Sequence, residues 1–415
     1  MSKENFIHKK LQRNRLKTSD TMVRNQFRVV VGSYEHNILC LSLDLSLSTP
    51  IFTPIFHFQA HTLSVKCMDI SNRYLISGSH DEHIRIYDLQ KRKELGTLLS
   101  HQGSITSLKF SRKVINSNND DETQLARPGA EGKSKWLFST SDDHKILIWR
   151  VKDWEDIGVL RGHTARVNDL DIHPSNRIAV SVSDDHTVRL WNLMTIKKAA
   201  VLKLKGYSQN GQFVRWIGSE GEYFAVALVN KVLLYDSSTA KVSHEIDMGR
   251  RTIMHLETMK WEGKDYIVVG LSNGAVAFYT LDSVLDSKAQ EPEFSLQGHA
   301  NRVKDFKPYT NEFGTYFVAI GSDGKIVVWD LKSKEQLAIF DSGERLNCLA
   351  VCDESVEKES TMKKRDAATA EIDEQSEAEG DEEELKKVLF GEKKGKKKSK
   401  NAKKHGKKKV SVQLE

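Results

Sequence analysis

Residues 181–193 read SVSDDHTVRLWNL, and the spacing of their polar and aromatic side chains decides the fold. Ser181 lies four residues before Asp185, which lies six residues before Trp191. The run after the aspartate is rich in Val, Leu and Trp, so the segment predicts a tight turn followed by a short β-strand. His163, in a Gly-His pair, lies upstream of this segment.

The same pattern occurs three more times, as SGSHDEHIRIYDL (77–89), STSDDHKILIW (139–149) and IGSDGKIVVWDL (320–331). The histidine, serine, aspartate and aromatic residue of one repeat can satisfy one another's hydrogen bonds, and a buried polar network is inexpensive only when it is complete. We therefore predict a structural network made of His61, Ser77, Asp81, Tyr87, His101, Ser139, Asp143, Trp149, His163, Ser181, Asp185, Trp191, His299, Asp323 and Trp329.

The repeat period predicts blades of a propeller. Trp191, Tyr235, Tyr279 and Trp329 follow one another at 44, 44 and 50 residues, close to the roughly 40–45 residues of a four-stranded blade. The two weaker copies carry Val229 or Asn273 at the aspartate position. Residues 113–134, polar and turn-rich, lengthen one repeat and predict a flexible insertion.

Six units end in an aromatic residue, and a seventh assembles from both ends of the chain. RVVVGSYEHNILCLSLD (28–44) supplies two strands, PIFHFQA (54–60) a third and RLNCLAV (345–351) the fourth. Glu35 and Leu41 take the aspartate and aromatic positions there. Closing the ring removes its open sheet edge. The sequence thus predicts an all-β, seven-bladed propeller closed by N- and C-terminal strands in one blade.

Charge divides the 415 residues into four parts: a basic arm (1–26), a nearly neutral propeller (27–352), an acidic segment (353–384) and a lysine-rich tail (385–415). The acidic segment has a net charge of −10 and the tail of +11, so we expect both to be disordered. No apolar run is long enough for a membrane span, and the first twenty residues lack a signal peptide. The four scattered cysteines indicate reduced thiols rather than disulfides.

The repeats resemble the WD40 family over about residues 27–351. SGSHDEHIRIYDLQKRKELGTLLSHQGSITSLKF, KDWEDIGVLRGHTARVNDLDIHPSNRIAVSVSDDHTVRLWNL and the basic tail resemble, more closely, the p21-activated kinase-interacting proteins. This resemblance implies a nuclear, nucleolar scaffold in large-ribosomal-subunit assembly and, for some relatives, inhibition of a p21-activated kinase.

The WD40 resemblance also implies a partner-binding top face around the channel mouth. The residues three and five after the repeat histidine, and the one before the turn aspartate, would present side chains there. From these positions the predicted partner-binding residues are Lys66, Asp142, Arg166, Asp184, Arg302 and Lys304, and the same positions also include Ser64, His80, Ser104, Thr106, Asn168 and Ser322. The basic members suit an acidic peptide or RNA phosphates.

The sequence has no H-E-x-x-H and no paired C-x-x-C, and its one G-x-S-x-G match, GLSNG (270–274), falls on the turn of the repeat that ends in Tyr279. GAEGKS (129–134) lacks the first glycine of a phosphate-binding loop, since Arg127 stands there. His83, His144 and His186 follow turn acids in separate repeats, which predicts exposed turn positions. Cys348 and Cys352 are separated by three residues, which favours buried thiols over a zinc half-site. We predict no enzyme activity, cofactor, metal or small-molecule substrate.

The lysine run suits nuclear targeting and sequence-independent RNA contact, because free lysines act as hydrated point charges. The residues predicted for this role are Lys393, Lys394, Lys396, Lys397, Lys398, Lys400, Lys403, Lys404, Lys407, Lys408 and Lys409. We expect a scaffold of the nucleus and nucleolus that binds pre-ribosomal proteins and assembly factors, contacts rRNA through its basic termini, and does not engage membranes. The alternative is a regulator that binds and inhibits a p21-activated kinase.

Overall fold

The computed structural model describes residues 24–112, 114–116, 123–125, 133–286 and 291–356. Within them the chain forms seven four-stranded antiparallel sheets, one two-stranded hairpin and one short α-helix. The predicted all-β, seven-bladed propeller is confirmed.

Blade 1 combines both ends of the described chain, and blades 2 and 3 follow it in sequence. The strands of blade 1, from the outer edge inward, are β3 (Ile51–Gln59), β2 (Asn37–Asp44), β1 (Gln26–Ser33) and β30 (Leu346–Asp353). Blade 2 contains β4 (Val65–Ser71), β5 (Tyr74–Ser79), β6 (Ile84–Asp88) and β7 (Lys93–Leu98). Blade 3 contains β8 (Ile105–Phe110), β11 (Trp136–Ser141), β12 (Ile146–Arg150) and β13 (Glu155–Leu160).

Blades 4 to 7 each use four consecutive strands. Blade 4 contains β14 (Val167–Ile172), β15 (Ile178–Ser183), β16 (Thr187–Asn192) and β17 (Lys197–Lys203). Blade 5 contains β18 (Phe213–Ile217), β19 (Tyr223–Ala227), β20 (Lys231–Asp236) and β21 (Lys241–Asp247). Blade 6 contains β22 (Ile253–Trp261), β23 (Lys264–Leu271), β24 (Ala275–Thr280) and β25 (Phe294–Gln297). Blade 7 contains β26 (Val303–Asn311), β27 (Gly314–Gly321), β28 (Lys325–Asp330) and β29 (Gln336–Asp341).

Two smaller features lie outside this regular pattern. The hairpin of β9 (Val114–Asn116) and β10 (Thr123–Leu125) belongs to the predicted insertion, between the first and second strands of blade 3. The helix α1 (Leu281–Leu285) follows β24. The acidic and lysine-rich segments beyond residue 356, like residues 1–23, lie outside the described residues, so the expectation of disorder there stays a prediction.

The inner strands form the wall of a central channel. They are β4, β8, β14, β18, β22, β26 and β30, and each contacts the next around the ring, with β26 and β30 as one of the contacting pairs. The middle strands are buried on both faces, as in Ala179–Ser183 of β15. Their apolar side chains pack between blades: Val318 of blade 7 and Leu349 of blade 1, for example, share one hydrophobic cluster. This double burial explains why the strands appear in the sequence as nearly continuous apolar runs.

Strand pairing joins the two ends of the propeller. β1 pairs with β30 from Phe27–Asp353 to Ser33–Leu346. Glu354, in a 3-10 turn directly after β30, accepts hydrogen bonds from Arg28 Nε at 3.1 Å, Arg28 Nη2 at 2.8 Å and Ser42 Oγ at 2.9 Å. Glu354, which composition assigns to the acidic segment of residues 353–384, therefore packs against the propeller, because its carboxylate neutralises the buried Arg28.

We predict that Glu354→Ala destabilises the propeller strongly. The side chain of Arg28 is fully buried, and removing the carboxylate leaves its charge without this partner. The expected loss is about 3 kcal/mol of unfolding free energy, measured by urea denaturation. Glu312→Ala, at an exposed turn, is the matched control. Equal stability of the two variants would contradict a closing role for the Arg28–Glu354 pair.

Candidate functional site

The repeat network of blade 4 is a continuous chain of hydrogen bonds. Trp191 Nε1 donates to Ser181 Oγ at 2.8 Å, Ser181 Oγ lies 2.7 Å from His163 Nε2, and His163 Nδ1 lies 2.8 Å from Asp185. A neutral histidine satisfies every member when Nδ1 carries the proton, donating to the carboxylate while Nε2 accepts from the serine. Asp185 also accepts the backbone N–H groups of Thr164 and Thr187. The aspartate thus ties the loop entering the blade to the turn between its middle strands.

Blade 3 has the same chain, and blade 2 repeats its histidine part. In blade 3, Trp149 Nε1 donates to Ser139 Oγ at 2.9 Å, and His101 lies 2.8 Å from that oxygen and 3.0 Å from Asp143. In blade 2, His61 lies 2.7 Å from Ser77 Oγ and 3.0 Å from Asp81, with Tyr87 at the aromatic position. Sequence analysis missed a second serine in each of the three repeats, which donates to a carbonyl of the entering loop; these serines are Ser79, Ser141 and Ser183.

Blade 7 has an incomplete network. His299 Nδ1 lies 3.1 Å from Asp323, and the indole of Trp329 packs edge-on against the histidine. Ala319 stands where blades 2, 3 and 4 have serine. Buried His299 Nε2 consequently has no hydrogen-bond partner among the described residues.

Blades 1, 5 and 6, which lack the complete repeat signature, form other hydrogen bonds at the corresponding positions. In blade 1, Glu35 accepts the backbone N–H of Arg345 at 3.1 Å and so replaces the repeat aspartate. In blade 5, Gln209 accepts the backbone N–H of Val229 and donates to Asn230 Oδ1 at 2.7 Å. In blade 6, Asn273 accepts the backbone N–H of Ala275 at 3.2 Å. Each entering loop or turn is therefore held without the full repeat signature.

The repeat aspartates are held as carboxylates. Burial by itself would raise the pKa of Asp81, Asp143 and Asp185, but hydrogen bonds from the repeat histidine and from backbone N–H groups outweigh it, so these pKa values lie well below the ordinary range. Burial lowers the pKa of His163. In blade 4, a neutral His163 and an ionised Asp185 are thus the stable combination near pH 7.

A cavity of about 570 Å³ occupies the central channel. Lys66 and Lys304 line its mouth, which we call the basic rim together with exposed Arg302 and Arg345. Desolvation, with the nearby positive charges of Lys66, Arg302 and Arg345, lowers the pKa of Lys304. Desolvation and the charge of Arg166 likewise lower the pKa of Lys66. The mouth is therefore electropositive.

The predicted top-face residues divide into three environments. Lys66, Lys304 and Asn168 line the cavity, as do Ser64, His80, Thr106 and Ser322. Arg166 Nε lies 3.1 Å from Asp142 as an ion pair, and Asp184 accepts hydrogen bonds from Asn168 at 2.7 Å and Asn210 at 3.0 Å. Ser64 and Thr106 are more than nine-tenths buried. The hydroxyl of Thr106 forms hydrogen bonds with the hydroxyl of Thr140 and the carbonyl of Val167. Asp142 and Asp184 thus have protein partners, while the lysines face the cavity.

Deeper in the channel lies an ionic network that sequence analysis missed. Arg215 pairs with Asp169 and, at 3.2 Å, with Glu257, which in turn lies 2.5 Å from Lys307. His255 lies 3.0 Å from Asp305. Burial would raise the pKa of Glu257, but the charges of Lys307, Arg215 and Lys109 hold it well below the ordinary range.

The sequence signal for these channel groups is a pair of polar residues six and eight positions after the repeat histidine. Those positions hold Asp169 and Asp171 in blade 4, and Asp305 and Lys307 in blade 7. Alternate residues of a strand share one face, so both members of such a pair are on the same side of an inner strand. Asp169 and Asp305 also accept backbone N–H groups from the next blade, those of Val214 and Leu349, at 3.2 and 2.8 Å. They couple neighbouring inner strands.

The alternatives considered from the sequence have structural explanations. His144 and His186 occupy positive-φ turn positions, and the described residues contain no group of three His, Cys, Asp or Glu side chains that could hold a metal ion. Cys348 and Cys352 are buried free thiols. Ser134, the last residue of GAEGKS, donates to the carbonyl of Ser111 at 2.7 Å; Gly132 lies outside the described residues. No helix in the described part of the chain is long and apolar enough to cross a membrane.

Comparisons with known proteins agree with the repeat structure. The family model described as WD domain, G-beta repeat matches residues 52–88, 154–192 and 290–330. Protein MAK11 of Saccharomyces cerevisiae is 61% identical over 414 residues, covering 94% of this chain and 99% of the relative. The p21-activated protein kinase-interacting protein 1-like of Gallus gallus is 30% identical, covering 82% and 83%. The p21-activated protein kinase-interacting protein 1 of Homo sapiens is also 30% identical, covering 71% and 68%.

We predict that Ala319→Ser stabilises the protein by about 1 kcal/mol, because the new hydroxyl supplies the missing partner of His299 Nε2. Ala225→Ser is the control, since Ala225 is fully buried at the corresponding position of blade 5, four residues before Val229. That repeat has no histidine to receive the hydroxyl, so the control should destabilise. Thermal unfolding of both variants checks this, and a loss of stability in Ala319→Ser would contradict it.

We also predict a loss of stability in acid from the three aspartates with lowered pKa values. A carboxyl whose pKa is lower in the folded state contributes stability above its unfolded pKa, near 4, and loses it as the pH falls further. Each contributes on the order of 2 kcal/mol at neutral pH. Urea unfolding between pH 7 and pH 3 measures the effect, and Asp185→Asn should show a shallower decline than the natural protein. Parallel curves would contradict the assignment.

Proposed function

Because the chain belongs to the WD40-repeat family that includes Protein MAK11 and the p21-activated kinase-interacting proteins, we propose that it is a non-enzymatic scaffold in large-ribosomal-subunit assembly and rRNA processing. It works in the nucleus and nucleolus. The propeller holds pre-ribosomal proteins and assembly factors, and the basic termini contact rRNA. The observation that carries this proposal is a rigid propeller with an electropositive mouth joined to a lysine-rich tail.

Both ends of the described chain lie in blade 1. β1 begins at Gln26 and β30 ends at Asp353, and Phe27 pairs with Asp353, so both basic termini connect to the same end of blade 1. The basic rim lies toward the other end of the inner strands, near Leu346, where β30 begins. The described chain therefore begins and ends on the side of blade 1 that is opposite the basic rim.

The charges support an electrostatic contribution to assembly. Eleven lysines fall within residues 393–409. Lysine clusters bind phosphate backbones without regard to sequence and accelerate association. Specificity for the precursor particle then comes from protein contacts of the propeller.

A second candidate function is binding and inhibition of a p21-activated kinase. The observation that favours it is the similarity to the relatives from Gallus gallus and Homo sapiens, both of which are named as p21-activated protein kinase-interacting proteins. This function needs the propeller and not the lysine tail. The two candidates therefore differ in which part of the chain is required.

We predict that affinity purification of the tagged full-length protein recovers large-subunit precursor rRNA well above small-subunit precursor rRNA. Replacing the eleven tail lysines with glutamine should lower RNA recovery at least fivefold while retaining protein partners. Lys66→Glu with Lys304→Glu should lower protein recovery, because both side chains are at the rim. Lys260→Glu with Lys332→Glu, both exposed and away from the channel, is the control.

A kinase assay on the same purified samples separates the candidates. Recovery of a kinase without precursor rRNA, with inhibition that survives the tail substitutions, would favour the regulator. Equal recovery of both subunit precursors would contradict the large-subunit proposal.

A further inference from the structure

We propose that the central channel is a binding site for a compact, multiply phosphorylated small molecule, held by Lys66, Lys304 and Lys109. The inference concerns the channel itself and does not depend on the ribosomal role. It assigns a ligand to a cavity lined by three lysines whose ammonium groups form no ion pair with the described residues.

The cavity has the size and lining of a small-molecule site. Its volume of about 570 Å³ lies within the roughly 300–1,000 Å³ of typical ligand pockets. Polar and charged side chains from several blades converge on it, as expected of a site for a polar ligand. The wall is rigid, because each inner strand contacts the next around the ring.

The three lysines are distinguished by their lack of partners. Among the described residues, no hydrogen bond or ion pair is made by the ammonium of Lys66, Lys109 or Lys304, although all three line the cavity. Desolvation and the positive charges of Arg215 and Lys307 lower the pKa of Lys109, and the negative charges of Glu257 and Asp171 offset this only in part. An anion in the cavity would relieve this repulsion for all three.

Two neighbouring cations in the same channel, Arg215 and Lys307, have carboxylate partners. Arg215 has Asp169 and Glu257, and Lys307 lies 2.5 Å from Glu257. Asp169 and Glu257 therefore have cationic partners, and Asp305 lies 3.0 Å from His255. Glu257 acts on Lys109 electrostatically, but among the described residues no carboxylate forms an ion pair with the ammonium of Lys66, Lys109 or Lys304, so a ligand phosphate would supply the direct counter-charge.

The positions of the lysines specify a ligand with several anionic groups. Lys66 and Lys304 are five residues after their repeat histidines, whereas Lys109 is eight residues after His101. Lys66 and Lys304 lie at the register shifts that begin β4 and β26, whereas Lys109 is the last residue but one of β8, so Lys109 lies deeper than the rim pair. A single anion does not reach both levels. Clustered phosphates do, and lysine ammonium groups bind phosphate as point charges.

Larger polyanions fit these positions less well. A folded RNA contacts the rim but does not enter a cavity of about 570 Å³, and an acidic peptide lying across the mouth engages Lys66 and Lys304 more than Lys109. Dependence on Lys109 therefore distinguishes a ligand inside the channel from a macromolecule on top of it.

The test is thermal unfolding of the full-length protein with inositol hexakisphosphate, inorganic tripolyphosphate or ATP at constant ionic strength. A ligand that binds the folded state alone raises the melting temperature, whereas binding to a lysine run persists after unfolding and contributes little. We expect a rise of several degrees with at least one probe and none with sulfate. Which probe acts identifies the source of the phosphates.

Variants locate the site, with affinities measured by isothermal titration calorimetry. Lys109→Met, and separately Lys66→Gln with Lys304→Gln, should each weaken binding at least tenfold. Without ligand, the variant with Lys66→Gln and Lys304→Gln should melt no lower than the natural protein, because neither ammonium forms an ion pair with the described residues. Because Lys109 also interacts with Glu257, the shift in Lys109→Met is measured against that variant's own melting temperature without ligand. Lys260→Gln, and Lys396→Gln with Lys397→Gln and Lys398→Gln in the tail, should leave the melting shift unchanged.

Three results would overturn the proposal. One is the absence of a shift with all three phosphate probes. Another is a shift that survives both channel variants or disappears in the tail variant, since the anion would then bind elsewhere. The third is stronger, Lys109-independent binding of a hexaglutamate peptide or an RNA hairpin, which would make the mouth a macromolecular surface.

Discussion

The whole structure depends on the pairing of β1 with β30, because this pairing turns a row of sheets into a ring. Without it blade 1 would lack its inner strand, and the inner strands of blades 2 and 7 would lose a neighbour. The pairing joins residues more than 300 positions apart, so its entropic cost of loop closure is large. Buried Arg28 and its partner Glu354 add a charge-assisted bond at the point where the chain leaves the sheet.

Once the ring is closed, the repeat networks fix the loops at its mouth. Asp185 shows how this works: one carboxylate binds a histidine from the entering loop and two backbone N–H groups, so loop and turn cannot move independently. The rim side chains start from these loops and from the first residues of the inner strands. The networks therefore position the side chains of the basic rim. In blades 1 and 5, which lack the repeat signature, Glu35 and Gln209 hold the loop instead.

The channel contains two kinds of charge with different consequences. Arg215, Glu257 and Lys307 neutralise one another and hold the inner strands of three blades together. Lys66, Lys109 and Lys304 face the same cavity without such partners among the described residues. Because desolvated charge without a counter-charge costs stability, the second group is a feature that packing alone does not explain. The paired charges thus stabilise the ring of inner strands, and the three lysines give the channel a separate electropositive surface.

The sequence by itself determined the fold, because the spacing of Ser181, Asp185 and Trp191 recurs and a repeated local pattern requires a repeated local structure. It also indicated that residues near 28–44 and 345–351 share a blade, since only their combination completes a seventh sheet. Only the tertiary structure decided where the charges meet. Arg215, Glu257 and Lys307 come from three repeats, and no local spacing relates them. Glu354 likewise belongs to an acidic run whose composition suggests disorder, and only the burial of Arg28 against it brings this residue into the folded body.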